Sequence, residues 1–510
     1  MKNTTIKAML QSSTAVLCAA ASVVAFSDTT LTIYSKAQPG AVNPDLYRPS
    51  PRAGSYYGQS IPGYAIVRDD RGLSLARGRS AVSITDVAAL LDPTTVRLTS
   101  LTDPSGTQVV EQDFRFDLVG SDKLLQRYID QPITVEQLFA NRVREVSGRL
   151  LSTDGGLVLQ EDDGSVSIVR EWQNIELGSL PGGLMTRPTL LWDINARRAG
   201  PHDMRLTYET QGMTWWADYN LTWAPSADDQ SGTLDVSAWV SILNQTGTSF
   251  SDTGLKLVAG DVQRAQAPND MEARVFLERA AVADVASVAG FDEKAFFEFH
   301  LYTLGRKTDL PDQSTKQMAL FPSAANVPAR KRLVFNGLNV PSRMGYGVTD
   351  RNFGSGGNSK VDVYLEFENL KKHGLGVPLP AGRIRVSQLD DADGSLEFVG
   401  EDIIEHTPKN EDIRIRLGSS FDVVGERKQV DYSIDTRAKV ITEAIEITLT
   451  NRKDIAQAVT IAEPLYRYAT WTISGNSDRY RKIDSRLVHF DIEVPPDSKK
   501  TVRYSVRYTW

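Results

Sequence analysis

Residues 213 to 223 read Met213-Thr214-Trp215-Trp216-Ala217-Asp218-Tyr219-Asn220-Leu221-Thr222-Trp223, and this stretch decides the fold class. The odd positions are Met, Trp, Ala, Tyr, Leu and Trp. The even positions are Thr, Trp, Asp, Asn and Thr. A period of two is that of a β-strand, whose alternate side chains leave opposite faces of the sheet. The odd positions form a core face and the even positions a wet one, except for Trp216.

The same pattern returns in residues 233 to 243. Leu234, Val236, Ala238, Val240 and Ile242 form one face; Asp235, Ser237, Trp239 and Ser241 form the other, again with one tryptophan out of place. A hairpin register that sets Leu221 opposite Leu234 also sets Trp216 opposite Trp239. Two indoles on a polar face can stack a sugar or a peptide, so Trp216, Trp239, Asp218 and Asn220 are the candidate ligand-binding residues. The more ordinary expectation is that another part of the chain covers this face, because large aromatic side chains are usually buried. The helical insertion and the small N-terminal β unit, both placed below, are the candidates for that cover.

Working outward, the alternation persists to the end of the chain. Ile413, Ile415 and Leu417 alternate with Arg414 and Arg416; Ile445, Ile447 and Leu449 with Glu446 and Thr448; Val488, Phe490, Ile492 and Val494 with His489, Asp491 and Glu493. Such strands bury one face and wet the other. The expected class is mainly β: small N-terminal β units followed by a large antiparallel β-sandwich-type region from 186 to 510, with one helical insertion at Asn269 to Ala289. Within an N-terminal region at 61–185, Asp122 to Ile129 and the Thr134/Gln137 spacing suggest two short helical pieces. A small β unit is expected at about 142–180, with turns at Asp154-Gly155-Gly156 and Asp162-Asp163-Gly164. Residues 28–60, rich in Pro and Gly, read as an extended arm or linker. No internal repeat of fixed period is visible.

The first 27 residues have the order of a secretory signal. Lys2 and Lys7 precede an uncharged run from Thr14 to Phe26, and small residues allow cleavage before Asp28. The expected localisation is periplasmic or secreted. The chain's one cysteine, Cys18, falls inside this signal, which excludes disulfides and thiolate chemistry from the processed chain. A net charge of −7 over 510 residues argues against nucleic acid as a partner. No segment has the length and apolarity of a transmembrane helix.

No catalytic motif, metal-ligand spacing or cofactor fingerprint is present, so no catalytic residue, metal ligand or cofactor is assigned. The five histidines are scattered. His406, within Glu401-Asp402-Ile403-Ile404-Glu405-His406-Thr407-Pro408, is the one that a carboxylate pair could turn into an acid–base site. The alternative is a strand end before a Thr-Pro turn. Val502, Tyr504, Val506, Tyr508 and Trp510 form one face of a last strand. An aromatic end of this kind suits an outer-membrane-associated β protein or the closing strand of a sandwich, and the latter is expected.

Two blocks carry a family resemblance. The first is Trp215-Trp216-Ala217-Asp218-Tyr219, then Trp239-Val240-Ser241 to Asn244-Gln245-Thr246-Gly247, then Leu255 to Val262. The second is Val377-Pro378-Leu379-Pro380-Ala381-Gly382-Arg383, then Gly400-Glu401-Asp402 and His406-Thr407-Pro408, then Phe421 to Arg427. Together they resemble the bacterial domain of unknown function 4139 family. Some of its members are labelled mucoidy inhibitors. The long coiled-coil insertion common in those proteins is not visible here. The resemblance implies a β-rich fold, supplies no reaction, and points to envelope polysaccharide. The expected function is therefore non-catalytic binding or scaffolding in the cell envelope, with polysaccharide or another envelope protein as partner. A periplasmic hydrolase using carboxylates and His406 is the rival.

Overall fold

The structure, a computed structural model, describes residues 23–35, 42–43, 47, 61–116, 120–139, 142–179, 187–260, 291–296, 298–338, 347–353, 357–390 and 392–510. The expected helix at Asn269 to Ala289 and most of the expected signal lie outside these residues. The protein is mainly β. In chain order, β1 (Val23–Ser35), β2 (Gly63–Leu75), β3 (Gly78–Ile84), β4 (Arg97–Ser100) and β5 (Thr107–Arg115) precede helix α1 (Ser121–Arg127). A small unit follows: β6 (Pro132–Phe139), β7 (Arg142–Ser152), β8 (Leu157–Gln160), β9 (Val166–Val169) and β10 (Asn174–Glu176). These five strands form a sheet of their own over a separate core that includes Val135, Leu150 and Leu159. The second short helix expected around Thr134 and Gln137 is corrected to β6. Ile133 and Val135 alternate into that core, and Thr134 Oγ1 meets Ser147 Oγ on β7 at 3.0 Å. β-branched residues at alternate positions outweigh the capping pattern.

The rest of the chain continues with β11 (Thr189–Ala196), β12 (Gly200–Gln211), β13 (Met213–Pro225), β14 (Ser231–Asn244), β15 (Phe250–Ala259), β16 (Phe291–Phe296), β17 (Phe299–Leu304), β18 (Thr308–Leu310) and β19 (Ser314–Phe335). Then come β20 (Lys360–Glu368), β21 (Gly382–Leu389), β22 (Leu396–Ile404), β23 (Asp412–Asp435), β24 (Val440–Asn451), β25 (Gln457–Pro464), β26 (Thr470–Ser474), β27 (Arg481–Lys482), β28 (Leu487–Val494) and β29 (Ser498–Thr509). The burial of β24 alternates along its length, with Ile445, Ile447 and Leu449 inside, and β28 behaves likewise.

Strand pairing reveals a repeat that has no counterpart in sequence period. Four strands a, b, c and d follow one another; a pairs with d, and b pairs with c, all antiparallel. Unit I is β2, β3, β11 and β12. Unit II is β14, β15, the broken strand β17–β18, and β19. Unit III is β20, β21, β22 and β23. Unit IV is β24, β25, β28 and β29. Each d strand runs on as a linking strand that pairs with strand a of the next unit: β19 with β20, β23 with β24, and β12 through Gly212 into β13, which pairs with β14. Gly212 has φ +84, and a side chain there would meet Gln245 O at 2.7 Å, so only glycine fits the kink.

This pairing corrects the expected domain line at 186. β11 and β12 complete the unit that β2 and β3 begin, so the boundary falls inside unit I. The arm expected over residues 28–60 is corrected at its start. Residues 28–35 belong to β1, which lies between β2 and β15 with Leu31 and Ile33 buried. The large region is also not wholly antiparallel. β1 pairs in parallel with β15, β13 with β21, and β19 with β25.

Three units share a corner built on a buried asparagine at the end of strand a. Asn244 Nδ2 donates to the carbonyls of Thr248, Leu310 and Pro311 at 2.9, 3.0 and 3.1 Å. Asn369 donates to Val377 and Pro408 at 2.8 and 3.0 Å. Asn451 donates to Ile455, Val494 and Pro495 at 2.8, 3.1 and 3.0 Å. Each side-chain oxygen accepts a backbone N–H from its own loop, from Thr246, Gly376 and Lys453 respectively. An amide is the side chain that can donate and accept at once, so it can satisfy both the loop after strand a and the proline-bearing end of strand c.

Candidate functional site

The outer face of β21, β13, β14 and β19 holds all four candidate ligand residues. The strand phase read from sequence is right: Trp215, Tyr219 and Trp223 enter the main core, while Trp216 and Asp218 leave the other face. The register expected for the hairpin is corrected by two residues. Trp216 stands opposite Ser241, and Trp239 stands opposite Asp218. A slip of two keeps every side chain on its face, so the two indoles share a surface as diagonal neighbours and not as a facing pair.

Their surroundings differ. Val42, Leu243, Tyr47 and Ile61 pack around Trp216, whose ring lies 5.2 Å from that of Tyr47, centroid to centroid. Among the described residues, the cover over this indole comes from Val42, Tyr47 and Ile61, which lie between β1 and β2; the expected helical insertion lies outside the described residues. Its Nε1 donates to Asp218 Oδ2 at 2.8 Å. Trp239 keeps 39 % of its surface exposed. Asn220, exposed on the same face, lends its backbone carbonyl to Ser237 Oγ at 3.2 Å.

The adjacent strand β21 brings residues that sequence reading did not assign to the site. Parallel pairing sets Arg383 beside Asp218 and Arg385 beside Asn220. Arg385 reaches Asp218 Oδ1 at 3.6 Å and Glu401 Oε2 at 3.6 Å. On the β19 side, Gln317 Nε2 donates to Ser241 Oγ at 3.0 Å. A cleft of about 350 Å³ lies among Val42, Tyr47, Trp216, Asp218, Arg383 and Arg385. The alternation of Arg383 and Arg385 with Ile384 and Val386 marks a strand with a basic outer face. Nothing in the sequence places that strand beside β13. The site thus offers an exposed indole, a carboxylate, two guanidinium groups and amides on rigid strands.

His406 has a structural position. Its Nδ1 accepts the backbone N–H of Ala381 at 3.0 Å, in the short bridge that pairs Leu379 with Thr407. Asp402 Oδ2 accepts the backbone N–H of Arg416 at 2.7 Å. Asp390 to Gly394 is the turn between β21 and β22, where Asp390 Oδ1 accepts the Ala392 N–H. Among the described residues, no cluster of three or more His, Cys, Asp or Glu side chains could hold a metal ion. No helix among them is long and apolar enough to cross a membrane. Trp510 is corrected from a core position. Tyr508 is the last buried residue of its face, while Trp510 is 38 % exposed and stacks on Tyr468 with ring centroids 4.8 Å apart.

Compared with known proteins, the sequence matches no family model, no curated protein and no solved structure.

Proposed function

We propose that the protein is exported to the cell envelope and binds a polysaccharide chain there without transforming it, through the outer face of β21, β13, β14 and β19. The observation that carries this reading is Trp239, an exposed indole on a sheet with the Asp218 carboxylate directly opposite it. A flat apolar ring suits the apolar face of a sugar, while Asp218, Asn220, Gln317 and Arg385 suit its hydroxyls and any carboxylates. The resemblance to the domain of unknown function 4139 family, with its mucoidy-inhibitor label, points the same way.

Export rests on the order of the first 27 residues. Cleavage before Asp28 is compatible with the fold. All five parallel pairs between β1 and β15, from Thr30 to Tyr34, lie beyond the cut. The hydrolase reading is the weaker one, because the ring nitrogen of His406 is already engaged by a backbone amide. The test is titration of purified envelope polysaccharide into the processed protein, followed by intrinsic fluorescence and calorimetry. Binding lost in Trp239→Ala and Arg385→Ala, with unchanged melting, supports the proposal. Equal binding by both variants, or shortening of the polysaccharide by the protein, overturns it.

A further inference from the structure

The linking strands follow one rule in three successive cases. The strand that precedes strand a of one unit also takes strand b of the next unit along its other edge, in parallel. β1 precedes unit I and takes β15 of unit II. β13 precedes unit II and takes β21 of unit III. β19 precedes unit III and takes β25 of unit IV. Continued once more, the rule requires a b strand on the free edge of β23, the strand that precedes unit IV.

That position is open among the described residues. β23 pairs with β20 up to Val424 and with β24 from Val423 to Asp435; no third strand pairs with it. At the other end of the series, β3 is the b strand of unit I. It pairs with β11 and has no parallel partner, and it forms the edge of its sheet. Among the described residues there is therefore one linking edge without its b strand and one b strand without its linking edge. The two are complementary.

We propose that copies of this chain join head to tail by strand addition, the edge of β23 from Gln429 to Asp435 in one copy taking β3 of another in parallel. The three internal joints bury their apolar residues: Leu31 and Ile33 in the first, Ala217 and Tyr219 in the second, Leu333 and Phe335 in the third. In the open joint, Val430 is 57 % exposed and Ile434 39 %. On β3, Arg79, Ala81 and Ser83 are exposed. Charge is matched as well. The tail edge carries Asp431 and Asp435, and the head edge carries Arg79 with Arg77 just before it.

β23 has a bulge between Gln429 and Asp431 in its ladder with β24. Bulges can blunt an edge against pairing. Here an internal joint has a comparable feature: β21 has an irregularity between Val386 and Ser387 in its ladder with β22, and both residues still pair in parallel with β13. An unpaired edge of N–H and C=O groups is a template for main-chain pairing. Because the two surfaces differ, each copy keeps one free end after joining, so growth gives an open series and not a closed dimer.

The test uses the processed full chain in sedimentation velocity over a range of concentrations, with amide hydrogen exchange on the same samples. The expected result is a ladder of species that grows with concentration, and slower exchange confined to residues 78–84 and 429–435. Two charge-reversed proteins provide the control: D431K on the tail, and R77E on the head. Each alone should stay monomeric, with unchanged melting, and an equimolar mixture should recover the ladder. A monomer at every concentration overturns the proposal. So does a species that stops at a symmetric dimer, or a ladder that survives both reversals. Polysaccharide binding is measured at a different face, so failure of either reading leaves the other standing.

Discussion

Trp239 stands directly across the β13–β14 ladder from Asp218, and that same Asp218 holds the indole of Trp216 through a hydrogen bond of 2.8 Å. One carboxylate thus links an open tryptophan to a covered one, and the two should respond differently to removal. Trp239→Ala should change stability by no more than about 0.5 kcal/mol, as exposed positions do. Trp216→Ala should cost about 1–2 kcal/mol and release the packing of Val42 and Tyr47. Thermal denaturation of both variants and limited proteolysis of the segment between β1 and β2 check this.

The asparagine corners should be equivalent under mutation although their sequences differ. Replacing Asn244, Asn369 or Asn451 by Ala leaves buried carbonyls and one amide without partners. Each should cost about 2–3 kcal/mol in urea unfolding, more than a single hydrogen bond is worth. Aspartate at these positions should fare no better, because it cannot donate to the carbonyls.

A buried ion pair joins β23 to β25 of unit IV. Arg427 Nη2 meets Glu463 Oε1 at 2.6 Å, both side chains are buried, and Tyr504 Oη donates to the same oxygen at 2.6 Å. Glu463→Gln should cost about 3–5 kcal/mol, because the guanidinium stays buried without its counter-charge. Replacing both partners, as R427M with E463L, should recover much of that loss. A double-mutant cycle in guanidinium chloride measures the difference.

Alkaline pH should unfold the protein through its buried phenols. Burial pushes Tyr219, Tyr302, Tyr504 and Tyr508 well above the ordinary value of 10.0. Burial likewise raises Tyr466 to about 12. In the unfolded chain the phenols lose their protons near 10, while the folded ones keep theirs. The stabilisation is therefore whole below about pH 10 and is lost as pH rises through the folded values. The urea midpoint should fall steeply above pH 10, with the phenolate absorbance of these residues appearing only on unfolding.

His406→Ala should remove one acceptor from the Ala381 N–H and cost about 1 kcal/mol. It should leave polysaccharide binding and the length of the bound chains unchanged. Loss of a hydrolytic activity in this variant would restore the catalytic reading.

Much of the fold was legible from alternation. The faces of β13, β14, β24 and β28 follow directly from their apolar positions, because period two assigns a side chain to a face whatever its partner strand. Which strand lies beside which was not legible. Arg385 reaches Asp218 because β21 pairs with β13 across more than a hundred residues of chain. The hairpin register was missed by two residues, since a slip of two leaves both faces equally apolar. The repeat was missed for a related reason. Unit I contains the small β unit between its b and c strands, and unit II contains residues 261–290 in the same place, so equivalent strands recur at unequal distances.

The staggered joints also order events during synthesis. A chain made from its N-terminus can finish β1 and β2 early, yet β1 receives its second neighbour only when β15 has been made. β13 waits in the same way for β21, and β19 for β25. Each stage of the nascent protein therefore displays one unfilled ladder, which the next stretch to leave the ribosome is shaped to occupy. A stop codon within any unit strands that ladder, so truncated products should aggregate in proportion to how long their last linking strand is, and not to how much of the chain is missing.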